Sequence, residues 1–124
     1  MKALSLRQPW PELILQGRKI IETRTWNTSY RGNFYIHASG KTNKEEMEKH
    51  GFKKLPRGKV VGIANLIDTK PYPTENDWKA DNEKHLAGHL PYNKKHYGFI
   101  LTDVKRIKPK PCKGQLGFFT LKNS

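Results

Sequence analysis

The run Leu4-Ser5-Leu6-Arg7-Gln8-Pro9-Trp10, followed after a short apolar segment by Gly17-Arg18-Lys19-Ile20-Ile21-Glu22-Thr23-Arg24, decides how the rest of the chain is read. Leu4 and Leu6 alternate with polar neighbours, which predicts a first strand over residues 3–7. Pro9 and Pro11 suit a first helical turn, Glu12 complements the positive end of the helix dipole, and Gly17 is a natural left-handed stop. Trp10, Leu13 and Ile14 share one helix face, which makes Trp10 a core residue before it is a stacking platform. Beyond Gly17 the chain turns β-branched and alternating. A strict strand from Lys19 would set that lysine opposite Glu22 and Arg24. The three charges converge only if Lys19 still lies in the turn and the regular strand begins at Ile20 or Ile21, and that is the geometry expected. Thr23 then points to the face opposite Glu22.

Outward from this stretch, residues 27–33 have turn composition. Phe34, Ile36 and Ala38 then alternate with Tyr35, His37 and Ser39 as a third strand. Thr42-Asn43-Lys44-Glu45 reads as a capping box for a helix ending near His50 and Gly51. That helix offers little apolar surface beyond Met47, so it is expected to sit loosely outside. Residues 59–68 are the most strand-like segment and are apolar in part on both faces, hence central. Gly62 within it marks a bulge or a close backbone approach. Residues 69–93 form a long polar excursion bracketed by Pro71, Pro73 and Pro91, with a helix start at Asn76-Asp77-Trp78. Long connections of this kind are often functional. Strand pattern returns over 97–105, a proline-bearing edge strand follows over 106–111, and a final strand closes the chain over 113–121. Six or seven strands without regular helix alternation predict an α+β chain, a small mixed β-barrel with peripheral short helices. A single domain over 1–124 suits the length.

The chain holds 24 Lys plus Arg against 11 Asp plus Glu, a formal charge of +13. Such an excess on a small chain favours a polyanionic partner, nucleic acid above all. Cys112 is the single cysteine, so no intramolecular disulfide can form. No apolar run is long enough to cross a membrane, and no signal-peptide core follows the first basic residues, so the cytoplasm is the expected location.

The candidate site follows from the charges. Glu22 sits in an apolar, β-rich context, where a carboxylate needs partners. Lys19 and Arg24 are both at hand. Two readings stand side by side. One is an internal ion pair that ties turn to strand. The other is a ligand cleft in which Glu22 accepts from a base amino group while Lys19 and Arg24 attract phosphate or carbonyl oxygen. If the chain is an enzyme, Lys19 and Glu22 are the catalytic candidates. Arg7 and Gln8 flank the site, and Gln8 can pair bidentately with a base edge. Trp26 and Tyr30, near Arg31, are stacking candidates. His37 and Ser39 share a face, His37 being read first as a hydrogen-bonded strand histidine. Lys94, Lys95, Lys105, Arg106, Lys108, Lys110 and Lys113 form a basic track for a phosphate backbone. No metal or other cofactor is expected. His85 and His89 have no glutamate or cysteine in register, and Gly114-Gln115-Leu116-Gly117 precedes a strand rather than a helix.

Taken together, the Arg7-Gln8-Pro9-Trp10 run, Gly17-x-Lys19-x-x-Glu22-x-Arg24, Tyr30-Arg31-Gly32, Ile36-His37-Ala38 and the closing Lys113-Gly114-x-x-Gly117-Phe118 resemble the ASCH domain, named for homology to activating signal cointegrator. The resemblance covers most of the chain and implies a PUA-like β-barrel with a cleft lined by Lys19, Glu22 and Arg24. It also implies a role with nucleic acid, RNA ahead of DNA. Some members are reported to cut RNA, and one bacterial branch deacetylates N4-acetylcytidine. In that branch the position matching Glu22 is a threonine nucleophile. Glutamate here keeps Lys19 but weakens the amidohydrolase reading.

Overall fold

The computed structural model describes residues 1–121. The elements run β1 Lys2–Gln8, α1 Trp10–Leu15, β2 Ile21–Arg24, β3 Gly32–Thr42, α2 Lys44–Lys49, β4 Lys59–Pro71, α3 Glu75–Ala80, α4 Asn82–His85, β5 Tyr97–Pro111 and β6 Phe118–Thr120. Helix α1 stops where Gly17 takes a φ of 77°, a value that favours glycine. The backbone N–H groups of Arg18 and Lys19 both bond back to the Leu13 carbonyl. Lys19 therefore belongs to the turn and β2 begins at Ile21, as the charge geometry required.

Among the described residues the strands form one six-stranded sheet in the order β2-β5-β4-β3-β1-β6. Only the β1–β3 pair in it is parallel. The expected barrel is not formed, because β2 and β6 are open edges with no ladder between them. The reason lies in their shortness. Strand β2 has 4 residues and β6 has 3, too few hydrogen bonds to close a circuit. Side chains span the gap instead. Arg24 on β2 donates to the Ser5 carbonyl on β1 at 2.9 Å, and Trp26 and Tyr30 lie against Phe118 of β6.

The sheet curls around Leu4, Leu6, Phe34, Ile36, Leu66, Phe99 and Leu101, with Ile14 of α1 packed among them. Each such side chain contributes about 1.5–3 kcal/mol when fully buried. Strand β4 is central, as its two-faced apolarity implies. Its ladder to β5 shifts at Gly62, where an added Cβ would come within 2.8 Å of the Lys105 carbonyl and would strike Leu15.

Several local expectations are corrected. The cap of α2 is Asn43, whose Oδ1 accepts from the Glu46 N–H at 3.1 Å; Thr42 is still in β3 and cannot serve. Helix α2 is docked rather than loose, since both Glu46 and Met47 are buried. Residues 97–111 are one continuous strand and not two. Its beginning pairs with both β2 and β4, and its second half pairs with β4 alone, which is what the prolines signalled. The final strand is shorter than expected, Phe118–Thr120.

Candidate functional site

The charged triplet converges. Glu22 Oε2 accepts from Arg24 Nε at 2.9 Å, and Lys19 Nζ lies 3.4 Å from Glu22 Oε1. Glu22 and Arg24 stand two apart on β2, so their side chains share a face, and the turn delivers Lys19 from the side. Lys19 is 2% exposed, also donates to the His85 carbonyl, and lies 5.3 Å from the Trp10 ring centre. Burial, above all, pushes its amine below the usual lysine range. The neighbouring Glu22 carboxylate opposes that shift, and the Arg24 charge adds to it.

A cavity of about 420 Å³ opens over this cluster. It is lined by Arg7, Trp10, Glu22, Arg24 and Trp26, with Leu90 and His96 contributed by the 72–96 excursion. Thr23 also lines it, although strand alternation sets that residue on the other face. Lys19 is not among the lining residues. It lies behind Glu22 as a buried support.

The remaining candidates separate. Arg7 is exposed and lines both this cavity and an adjoining one of about 520 Å³, which also takes in His37, Ser39 and Lys41. Gln8 does not face either. It is 1% exposed, its Nε2 donates to the Pro56 carbonyl at 2.9 Å, and its Oε1 accepts from the Glu12 N–H at 3.2 Å. No edge of the amide is left for a base. Trp10, read first as core, is only half-buried and stacks on His89 with ring centres 5.2 Å apart. Trp26 lines the cleft while packing edge-on against Phe99. Tyr30 is held by the Asn33 carbonyl and by Phe118. Arg31 is turned to the Thr28 and Tyr30 carbonyls and to Asp68. Neither Tyr30 nor Arg31 lines the cleft.

His37 is buried, with Nε2 2.7 Å from the Cys112 carbonyl and Nδ1 2.8 Å from Ser5 Oγ. A carbonyl only accepts, so Nε2 donates to it, and Nδ1 is hydrogen-bonded to the serine hydroxyl. This is the hydrogen-bonded strand histidine of the simpler reading. Ser39 Oγ bonds within its own turn, to the Lys41 carbonyl at 2.9 Å. Of the basic track, Lys94, Lys95, Lys105, Lys108, Lys110 and Lys113 are exposed. Arg106 is not a free cation. It makes a bidentate pair with Glu12 at 2.8 and 2.9 Å, which pulls the Glu12 carboxyl below its usual value.

The excursion supplies what the sequence pattern did not reveal. The Lys84 carbonyl accepts from the Ile20 N–H at 2.9 Å, and the His85 carbonyl holds Lys19. Trp78 is its hub, stacked on both His85 and His96 at 4.1 and 4.5 Å. Asp81 Oδ2 accepts from Lys70 and from the Tyr72 hydroxyl, each at 2.8 Å. Burial pushes the Asp81 carboxyl up, but these two hydrogen bonds together with the Lys70 and Lys84 charges leave it below its ordinary value. The two sequence signals were the length of the segment and the Trp78 helix start. Among the described residues no group of three His, Cys, Asp or Glu side chains is placed to hold a metal ion, and no helix is long and apolar enough to cross a membrane.

The ASCH domain family matches residues 4–111. This chain belongs to the ASCH family. The activating signal cointegrator 1 of Mus musculus is 41% identical over 64 residues, which make up 50% of this chain and 11% of that protein. Its Homo sapiens counterpart is 39% identical over 64 residues. The match thus takes up only about a tenth of the cointegrators' length. The crystal structure of ASCH from Zymomonas mobilis superposes with a TM-score of 0.73 at 16% identity, covering 98% of this chain and 87% of that one. A mutant of the same protein gives 0.72 at 17% identity. At that identity the likeness speaks for the fold.

Proposed function

We propose that this ASCH domain binds nucleic acid, RNA in preference to DNA, taking one base or nucleotide in the 420 Å³ cleft while the basic surface holds the backbone. The observation that carries this reading is the cleft itself. Two cations, Arg7 and Arg24, and one carboxylate, Glu22, face the same space as two tryptophans, Trp10 and Trp26. Guanidinium groups suit phosphate or carbonyl oxygens, the carboxylate accepts from an exocyclic amino group, and aromatic faces stack on any base. Family membership supports the same direction, since ASCH domains are generally thought to bind RNA. Replacing Glu22 by Gln removes the charge but keeps the shape. The expected result is altered preference among homopolymeric RNAs with overall affinity less affected. Unchanged preference speaks against a base at Glu22.

A second reading, hydrolysis of RNA or of a modified nucleoside, is favoured by one observation: burial holds the Lys19 amine below its usual range beside Glu22. An amine whose proton is held less tightly is better suited to act as a base or nucleophile. Its position behind the cleft and its bond to the His85 carbonyl argue for support over chemistry. Incubating the protein with labelled RNA and with N4-acetylcytidine, alongside Lys19→Ala, distinguishes the two. The binding reading expects no product above the variant's background.

A further inference from the structure

The loop between α2 and β4 carries Lys53, Lys54 and Arg57, which with Lys59, the first residue of β4, surround a separate cavity of about 360 Å³. No acidic side chain lines it. The sequence has no Asp or Glu between Glu48 and Asp68, and among the described residues none of these four cations is in an ion pair. Uncompensated charge of this kind, clustered on one short loop, repels itself and costs stability unless an anion relieves it.

The loop is also anchored. The buried Gln8 amide holds the Pro56 carbonyl at 2.9 Å. Gly58 donates to the Ala38 carbonyl at 2.7 Å, and its own carbonyl accepts from Cys112 at 3.1 Å. Gln8, whose side chain shows no face to the ligand, thus fixes the basic loop against the end of β1. A site held in place before binding loses less conformational freedom when it binds.

The loop adjoins the neighbouring cavity: the Gly58 N–H also lies 3.4 Å from the carbonyl of Ser39, which lines the 520 Å³ cavity. Thr42, which lines the loop cavity, follows Lys41, which lines the 520 Å³ cavity together with Arg7 and Arg24. That middle cavity also has no acidic lining, and it shares Ser5, Arg7 and Arg24 with the cleft. None of Lys105, Arg106 and Lys108 lines any of the three cavities.

We propose that the 53–59 loop is a phosphate-binding site for the backbone of the same nucleic acid whose base enters the cleft, with Lys41 serving the phosphates between. The inference rests on the nucleic-acid reading above and specifies where the strand leaves the cleft. The tail strand, with Arg106 already neutralised by Glu12, is secondary.

The test compares two double variants of equal charge change, Lys54→Glu with Arg57→Glu and Lys105→Glu with Lys108→Glu, all at exposed positions. Each is titrated with a single-stranded RNA of about ten nucleotides and with a mononucleotide, over a range of salt. The loop variant is expected to weaken the oligonucleotide at least tenfold and to flatten its log–log salt slope by about 0.7 for each phosphate that is no longer neutralised. Its affinity for the mononucleotide, which cannot reach the loop, stays unchanged. The tail variant shows the smaller loss. Equal losses in the two variants, or none in the loop variant, overturn the loop site while leaving the nucleic-acid reading intact. A wild-type protein that binds neither ligand overturns both.

Discussion

The curled sheet and the 72–96 excursion are held together by different physics. The sheet buries Phe34, Ile36, Leu66, Phe99 and Leu101 in one apolar cluster, and its polar backbone is consumed by ladders. The excursion has a small cluster of its own, Tyr72, Trp78 and Ala87. Its cohesion comes from polar and aromatic pairings: Asp81 with Lys70 and Tyr72, and Trp78 with His85 and His96. Yet the second region completes the first. The excursion gives Lys19 its carbonyl partner and contributes Leu90 and His96 to the cleft. The scaffold of this site is held chiefly by apolar burial, and its wall chiefly by polar and titratable groups.

The largest expected effects come from breaking each hub. Phe99→Ala removes a fully buried ring shared by the whole sheet and is expected to lower global stability by about 3–5 kcal/mol. Trp78→Ala creates a cavity of similar cost, about 3–5 kcal/mol, but confined to the excursion. Hydrogen exchange read residue by residue separates the two. Phe99→Ala should speed exchange throughout, whereas Trp78→Ala should speed it over 72–96 and leave β3 and β4 protected. Uniform acceleration in Trp78→Ala would mean that the two regions are one cooperative unit.

A smaller effect sharpens the same contrast through pH. Burial holds His85 and His96 below the ordinary histidine range. His85 also uses both ring nitrogens in its neutral form, Nε2 toward the Trp78 carbonyl and Nδ1 accepting from the Ala87 N–H. The detached excursion would take up protons near pH about 6.5 while the docked one does not. Docking is therefore expected to weaken as pH falls from about 7 toward 5. Glu12 and Asp81 act at lower pH: their folded carboxyls lie below the usual range. Their contribution is full above about pH 5, beyond the ordinary carboxylate values, and is lost as pH falls through the lower folded ones. Fluorescence of Trp78 in a Trp10→Phe, Trp26→Phe background should change at mild acidity before global unfolding begins. Coincident transitions would contradict the distinction.

What the sequence disclosed was local. The order of strands and helices, Gly17 as the stop, and Lys19 held in the turn all follow from neighbours a few residues apart. Barrel closure was misjudged because it depends on how many rungs β2 and β6 supply, and that is settled by long-range pairing. Gln8 was read as a base reader because its partner, the Pro56 carbonyl, lies 48 residues away. Arg106 was counted as a free cation because Glu12 lies 94 residues away. The His85 and Lys84 carbonyls that clamp the site are backbone atoms, and no residue type announces them. The basic loop at 53–59 was passed over because its lysines look like ordinary surface until the anchoring of Pro56 and Gly58 is seen.

The most direct test of nucleic-acid binding is the affinity of a fluorescently labelled single-stranded RNA for this protein, measured by anisotropy at about 50 mM and about 200 mM salt. Binding at the lower salt that falls steeply at the higher, with the fall reduced in Arg7→Ala, is the predicted result. Absence of binding, or an affinity equal at the two salt concentrations, would contradict it.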